Sequence, residues 1–310
     1  ADIDYEQCVS CGMCLVSCPF SAIVDKSQIF QTVLALKSDT PIYAAIAPSF
    51  VNQFGGAVTS AQVRAALKAV GFEDMIEVAV GADLCAIQEA EDFLEEVPEK
   101  IPFMGTSCCP AWSVMAKKTF PEYANCISMA LTPMVLTGRM IKKDHPDCKV
   151  VFIGPCAAKK LEASRRSVRS DVDFVLTFEE LDAMFDAREI DPASFEEDGS
   201  LHDATAAGRG YAVAGGVAGA IEACLKEYYP DVPVHIEHAE SLAECKKMLT
   251  LAKVGKLNGC MIEGMACPGG CMGGAGTNAP FAKASKALKS YLASSTEKLP
   301  AKELEDLELN

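Results

Sequence analysis

Cysteines carried on three short loops constrain this chain more than any other feature. The loops read Thr106-Ser107-Cys108-Cys109-Pro110-Ala111-Trp112, Gly154-Pro155-Cys156-Ala157-Ala158-Lys159-Lys160, and Glu263-Gly264-Met265-Ala266-Cys267-Pro268-Gly269-Gly270-Cys271-Met272-Gly273-Gly274. Each joins a thiol to glycine or proline, and each follows an apolar run, so each reads as a strand end. Thiolates brought together from separate strand ends can hold an iron–sulfur cluster. The fold must then bring three distant stretches of chain to one point.

A second signal opens the chain: Cys8, Cys11, Cys14 and Cys18, followed by Pro19. This is the C-x-x-C-x-x-C-x-x-x-C-P run of bacterial ferredoxins, whose short spacings let three thiolates reach one 4Fe–4S cubane. In two-cluster ferredoxins the fourth cysteine serves the other cluster. Here only one such run is visible. Either Cys18 completes the same cluster, or a partner motif lies upstream, or another cysteine substitutes. A zinc site is the alternative to a cluster. The expected role is an electron wire to the interior.

Half of the 310 residues are hydrophobic and the formal net charge is −15. The chain is therefore globular, with room for more than one domain. The acidic balance argues against a nucleic-acid partner and against docking on an anionic membrane. A chain of this size needs no covalent staples, so its fifteen cysteines point to reduced thiols that bind metal. No apolar run reaches the ~18 residues of a membrane span, and no signal peptide is visible. The chain opens on Ala1 and not methionine, which suggests a missing upstream piece. A cytoplasmic, low-oxygen setting is expected.

Residues 1–30 form a ferredoxin-like segment and residues 31–310 a larger domain of two lobes, the second beginning near residue 149. The fold class is α/β, with twisted sheets flanked by helices. Strands are expected at Ile42 to Ile46, Ile76 to Val80, Lys149 to Ile153, Asp173 to Leu176 and Cys260 to Ile262. Ile101 to Met104 leads into the double-cysteine loop. Ser60 is expected to cap a helix with Val63, Leu67 and Val70 on one face and Gly71 at its end. Another helix runs from about Asp83 to Glu96. Thr177 with Glu180, and Ser241 with Glu244, read as capping boxes, the second ahead of a helix closed near Gly255. The acidic tail from Glu297 to Asn310 reads as a short helix or a solvated end. Ala47-Pro48-Ser49 and the three cysteine loops all fall at carboxyl ends of strands, where ligands bind in open α/β sheets. Two lobes with facing strand ends can enclose one cluster.

Taken together, these loops resemble the three signature loops of the iron-only (FeFe) hydrogenases. Ala47-Pro48-Ser49, Gly81-Ala82-Asp83-Leu84 and Gly215-Gly216-Val217 extend the resemblance over most of the chain, from Cys8 to Gly274. The resemblance implies an H-cluster, in which a 4Fe–4S cubane is joined through a cysteine sulfur to a diiron subcluster. That subcluster carries carbon monoxide, cyanide and a dithiolate bridge with a basic amine. By position Cys109, Cys156, Cys267 and Cys271 match the cubane ligands, with Cys271 bridging. Cys108 sits beside a ligand without having to be one, and a thiol of tuned pKa can relay a proton. The family gives it that role, and alignment continues the relay through Glu89, Ser128 and Asp92. Glu89 and Asp92 are three apart on an expected helix and share a face; their plain alternative is two solvated carboxylates. Lys159 matches a donor to one cyanide, with Lys160 a surface lysine. Ser49 matches the donor to the other cyanide, and Pro48 and Met265 pack the pocket.

The implied reaction joins two protons and two electrons to dihydrogen, reversibly. The implied partners are H2, protons, a ferredoxin or similar electron carrier, and maturation proteins. Three departures stand out. Gly154 occupies a position where methionine is common, Asp92 stands where glutamate is usual, and the third loop ends Gly274-Ala275-Gly276-Thr277-Asn278. The rivals are a non-catalytic iron–sulfur scaffold or assembly protein, a slow hydrogen sensor, and a plain electron carrier. Cys85, Cys126, Cys148, Cys224, Cys245 and Cys260 read as buried or incidental thiols. The four histidines lack ligand-like spacing, and Trp112 reads as packing behind the first loop.

Overall fold

The computed structural model describes residues 2–197, 199, 201 and 204–302. Among them the strands are β1 (Ile42–Ile46), β2 (Asp74–Glu77), β3 (Met104–Gly105), β4 (Lys149–Gly154), β5 (Phe174–Thr177), β6 (His235–Glu240) and β7 (Cys260–Met265). They form two sheets, ordered β2-β1-β4-β5 and β3-β7-β6, and every pairing is parallel. Parallel strands are covered on both faces and so need unbroken apolar runs; β1 and β7 are buried along their whole length. Register levels the strand ends within each sheet. Ile46 of β1 lies opposite Ile153 of β4, and Gly105 of β3 opposite Ile262 of β7.

The covering helices, in chain order, begin with α1 (Met13–Ser17), α2 (Ile29–Leu36), α3 (Ser60–Val70), α4 (Val78–Glu96), α5 (Pro110–Thr119) and α6 (Pro133–Asp144). They continue with α7 (Ala158–Ala163), α8 (Phe178–Ala187), α9 (Ala206–Gly210), α10 (Gly216–Tyr228), α11 (Leu242–Lys253) and α12 (Phe281–Ala293). None of the described helices is long and apolar enough to cross a membrane.

Each sheet has its own apolar core. Ile42, Ile46, Phe152, Phe178 and Phe185 fill the first; Phe103, Trp112, Leu249, Met261 and Ile262 fill the second. The long helix α4 ties them together, with Val78 in the first core and Ala82 to Phe93 in the second. Its neighbours approach unusually closely. A Cβ on Gly81 would lie 2.4 Å from the Pro133 carbonyl of α6, and one on Gly208 of α9 would lie 2.3 Å from the Ala79 carbonyl. No side chain fits at either position. A buried ion pair between Glu77 and Arg209, at 2.5 Å, fixes the start of α4 to α9. Arg209 also lies over the Tyr291 ring of α12, 4.4 Å from its centroid. Asp83 accepts hydrogen bonds from the Thr205 N–H at 2.9 Å and hydroxyl at 2.5 Å, and burial pushes its carboxyl up to about 6.

Several sequence expectations shift. The strand expected at Ile76 to Val80 ends at Glu77, and Val78 already belongs to α4. A short apolar run reads equally as strand or buried helix, and the first turn of α4 is buried. The cap of α3 is Thr59, not Ser60, with Gln62 completing the box. Thr177 and Glu180 form a full box. Ser241 accepts from the Glu244 N–H, but Glu244 takes the N–H of Glu240, so that box is half made. β7 runs three residues past Ile262, to Met265. The lobe boundary expected near residue 149 is not where the sheets divide, because β4 pairs with β1. The chain crosses to the second sheet at β3, returns for β4 and β5, and crosses again for β6 and β7. Of the acidic tail, residues 303–310 lie outside the described residues.

Candidate metal centre

The carboxyl ends of β1, β3, β4 and β7, two from each sheet, open into one cavity. Cys108, Cys109, Cys156, Cys267 and Cys271 all line it. Local chemistry sets each loop. Pro110 occupies the first turn of α5, so Cys109 is the residue before the helix. α7 begins two residues after Cys156. Cys271 lies on a short 3₁₀ turn, Gly270–Gly273. Gly270 has φ +72°, and a Cβ there would lie 2.5 Å from the Ala214 nitrogen, so only glycine lets this loop wrap the cavity. Trp112 is fully buried as expected and donates its ring N–H to the Thr106 carbonyl at 3.2 Å.

All five thiols are free. Burial raises the Cys109 thiol. It pushes Cys156 up to about 11, with the neighbouring Cys109 adding to the shift. Cys267 and Cys271 rise further, by burial first and then by the charges of their fellow cysteines. Buried thiolates this close repel one another unless a positive centre holds them. Among the described residues, no three histidine, cysteine or acidic side chains stand close enough to grip a single metal ion. Cys109, Cys156, Cys267 and Cys271 reach one cavity from separate loops, as a multi-iron cubane with one cysteine per iron needs. The Ser49 hydroxyl is also buried on this wall without a partner. Donor set and cavity fit an iron–sulfur cluster.

Of the expected relay residues only Cys108 lines the cavity; Glu89 lies near it, and Ser128 lies beside Glu89. Glu89, on α4, is fully buried, and its Oε1 accepts the Ser107 N–H at 2.7 Å. Its Oε2 has no hydrogen-bond partner of good geometry. The Ser107 and Ser128 hydroxyls lie beside this carboxylate, and burial pushes it up to about 7. Burial pushes the Cys108 thiol well above its usual range, with the Glu89 charge the next cause. Ser128 is held next to β3, its N–H donating to the Gly105 carbonyl at 2.7 Å. Asp92 is half-buried, one helical turn beyond Glu89. Burial raises its carboxyl, and Gln88 donates to it at 2.9 Å. Asp92 is thus held by Gln88, not by Ser128.

Pro48 and Met265 line the cavity, as does Lys159. All three protons of the Lys159 ammonium face acceptors within the protein: Glu162 at 2.6 Å, the Cys108 carbonyl at 3.2 Å and Thr132 at 3.3 Å. The Glu162 contact is a strong charge-assisted bond and the other two are long. Glu162 is buried and takes the Thr132 hydroxyl at 2.6 Å. Lys160, expected at the surface, instead bridges Asp25 at 2.6 Å and Glu180 at 2.9 Å. That contact pins the N-terminal segment to α8, a long-range pairing the local sequence cannot signal.

The N-terminal segment packs directly behind the central loops. Cys11 lies against Ala111, Ala158 and Ala266, and its charge raises the Cys267 thiol. Gly12 packs so tightly that a Cβ there would lie 2.7 Å from Ala275 and 3.1 Å from Ala157. Lys118 donates to the carbonyls of Tyr5 at 3.1 Å and Cys8 at 3.0 Å. The Cys8 sulfur accepts the Ser10 N–H at 3.4 Å. The N–H groups of Ala22 and Phe20, with those of Ile23 and Ser21, hold the Cys18 thiol below its usual range. Cys14 is exposed. The six remaining cysteines are buried, as expected.

Sequence reading missed Ser107 as the anchor of Glu89, and Glu162 with Thr132 as the anchors of Lys159. The spacing Lys159-x-x-Glu162 carried a signal, because residues three apart on a helix meet. Nothing local marked Thr132, which arrives from before α6.

Residues 40–275 match the family described as iron only hydrogenase large subunit, C-terminal domain, and residues 1–24 match a 4Fe-4S binding domain. The NADP-reducing hydrogenase subunit HndD of Solidesulfovibrio fructosivorans is 29% identical, over 87% of this chain and 55% of that protein. The chain thus spans about half the length of that relative. A shorter match, 37% identical over 33% of this chain and 22% of the other, is to the cytosolic Fe-S cluster assembly factor NAR1 of Kluyveromyces lactis. The fold superimposes on a variant of the [FeFe]-hydrogenase HydA1 from Chlamydomonas reinhardtii with a TM-score of 0.72, 21% identity, and coverage of 91% of this chain and 92% of that one. With its cysteine loops around one cavity and the family match over most of its length, the chain belongs to the iron-only hydrogenase large-subunit family.

Proposed function

We propose that the chain is an FeFe hydrogenase catalytic unit that interconverts two protons and two electrons with dihydrogen. Cys109, Cys156, Cys267 and Cys271 would hold an iron–sulfur cubane, with Cys271 the ligand shared with a diiron unit that would carry carbon monoxide, cyanide and a dithiolate. That unit supplies the redox chemistry at which hydrogen is made or split. Pro48 and Met265 exclude water from it, while Ser49 and Lys159 donate hydrogen bonds to its anionic ligands. For this Lys159 gives up one of its two long contacts and keeps Glu162.

Protons move on the chain's own groups. Cys108 exchanges with Glu89, which exchanges with Ser128 and then with Asp92 at the half-buried end. The single observation that carries this reading is the buried, unpartnered Oε2 of Glu89, on the Cys108 side of the cavity and beside Ser128. A carboxyl of pKa near 7 both takes and gives a proton at neutral pH. A cluster scaffold of the assembly-factor kind has no use for it. Electrons come from a ferredoxin or similar carrier in the cytoplasm and pass through the cluster on Cys8, Cys11, Cys14 and Cys18. Maturation proteins deliver the diiron unit.

The test is infrared spectroscopy in the carbonyl and cyanide stretching region after maturation, with hydrogen turnover on the same sample. Bands with turnover are expected. Cys108→Ala should keep its iron and its bands while turnover falls at least ~100-fold, the lower range for a proton-transfer group. Absence of bands and turnover in the matured protein rejects the reading in favour of an assembly or scaffold role. Unchanged turnover in Cys108→Ala rejects the relay.

A further inference from the structure

One hydroxyl on the cavity wall has no part in the relay or in the ligand set. Tyr211 is the residue at which α9 ends. It is buried, it lines the cavity, and its phenol oxygen has no hydrogen-bond partner. Buried tyrosine hydroxyls nearly always find a partner, so an orphan on a residue that lines a cavity points to a missing acceptor. Among the side chains that line the cavity, Val78, Ala82, Phe152 and Ala212 offer no acceptor and Met134 only a weak one. A phenol keeps its proton at neutral pH, so Tyr211 acts as a donor.

Its titratable neighbours include Cys85, Glu89 and Cys224, none of which lines the cavity, and Cys108, which does. Cys85 lies one turn before Glu89 on α4, is fully buried, and has its sulfur beside both the Tyr211 and Ser107 hydroxyls. A thiol is a weak donor. Its sulfur is also only a weak acceptor, so it holds the tyrosine hydroxyl loosely and loses the O–H to a stronger acceptor in the cavity.

We propose that Tyr211 donates a hydrogen bond from its hydroxyl to an acceptor atom of the group held in the cavity, with Cys85 as the positioning residue behind it. This rests on the hydrogenase reading, in which the acceptors are the carbonyl and cyanide ligands of the diiron unit. Tyr211 then joins Ser49 and Lys159 as a third donor, placed beside Cys108, where it withdraws electron density from the ligand it touches.

The test compares matured wild-type protein with Tyr211→Phe, which removes one oxygen and keeps the ring. Iron is counted, and infrared spectra are recorded in ordinary and heavy water. The expected result is equal iron with at least one carbonyl or cyanide band displaced in Tyr211→Phe. That band responds to heavy water in the wild type and has lost the response in the variant. Cys85→Ala should broaden the same band, because the hydroxyl loses the neighbour that steers it. Should Tyr211→Phe hold less iron, Cys85→Ala decides, and a band of unchanged width and position there overturns the proposal. Superimposable spectra of wild type and Tyr211→Phe overturn it as well, and mean that a water or the Cys85 sulfur is the acceptor. The hydrogenase reading survives that outcome, whereas wild-type protein without any such bands sinks both.

Discussion

Glu89 is tied by its Oε1 to the Ser107 N–H at 2.7 Å, one residue before Cys108, and its Oε2 is left buried without a partner. The backbone bond fixes the carboxylate while the second oxygen stays available for a proton. Replacing it with glutamine keeps the shape and an acceptor for Ser107 but removes the exchangeable proton. Glu89→Gln should therefore bind a normal complement of iron and lose turnover by ~100-fold or more. Iron content and hydrogen evolution on one preparation check this.

The same carboxyl predicts a pH signature in the unloaded protein. Burial raises it from 4.5 to about 7, so folding favours the protonated form. Its contribution to stability is then fully present below about pH 4.5 and lost as pH rises to about 7, after which no further change follows. The loss amounts to about 3 kcal/mol at 1.36 kcal/mol per unit. Denaturant unfolding of wild type and Glu89→Gln at several pH values should give a stability difference that shifts in favour of the variant between those limits. A difference that stays constant over that range contradicts the assignment.

Much of the centre was legible in the sequence because cluster chemistry is written in spacing. Cys109, Cys156, Cys267 and Cys271 stand beside glycine or proline at the ends of apolar runs, and each run proved to be a strand or to lead into one. The short β3 before Cys109 and the full length of β7 were less clear, since a run of two residues has no period. The start of α4 was misplaced because Val78-Ala79-Val80 is apolar on all sides, as a buried helix and a buried strand both are. The lobe division was hidden for another reason: which strand pairs with β4 is a tertiary fact. The partners of Lys160 and Thr132 escaped on the same ground. They sit 20 to 30 positions away or further, and charge alone does not name them.

Gly264 lies at the point where β7 passes Trp112. A Cβ there would lie 2.2 Å from the indole ring, and Trp112 is held in place by its bond to the Thr106 carbonyl. Gly264→Ala must therefore displace either the ring or the strand that delivers Cys267. Overpacking of this kind costs about 1–3 kcal/mol. The expected outcome is a lowered melting temperature together with partial loss of the central cluster, while the N-terminal cluster is retained. Iron counting and electron paramagnetic resonance of the reduced protein separate the two clusters.

Lys159 and Glu162 form a buried pair at 2.6 Å, and this separates their part in the fold from their part at the cavity. Removing one partner leaves the other buried and uncompensated, at a cost of about 3–5 kcal/mol. Lys159→Met should therefore destabilise the unloaded protein by that order. The double variant Lys159→Met, Glu162→Gln removes both charges, and most of the lost stability should return, because a buried pair contributes little beyond its neutral replacement. The ammonium that faces the cavity does not return with it. Denaturation should thus show recovery in the double variant, while the cyanide bands of the matured protein stay displaced from wild type in both variants that lack Lys159. Cyanide bands that recover along with stability would mean that Lys159 acts only through packing.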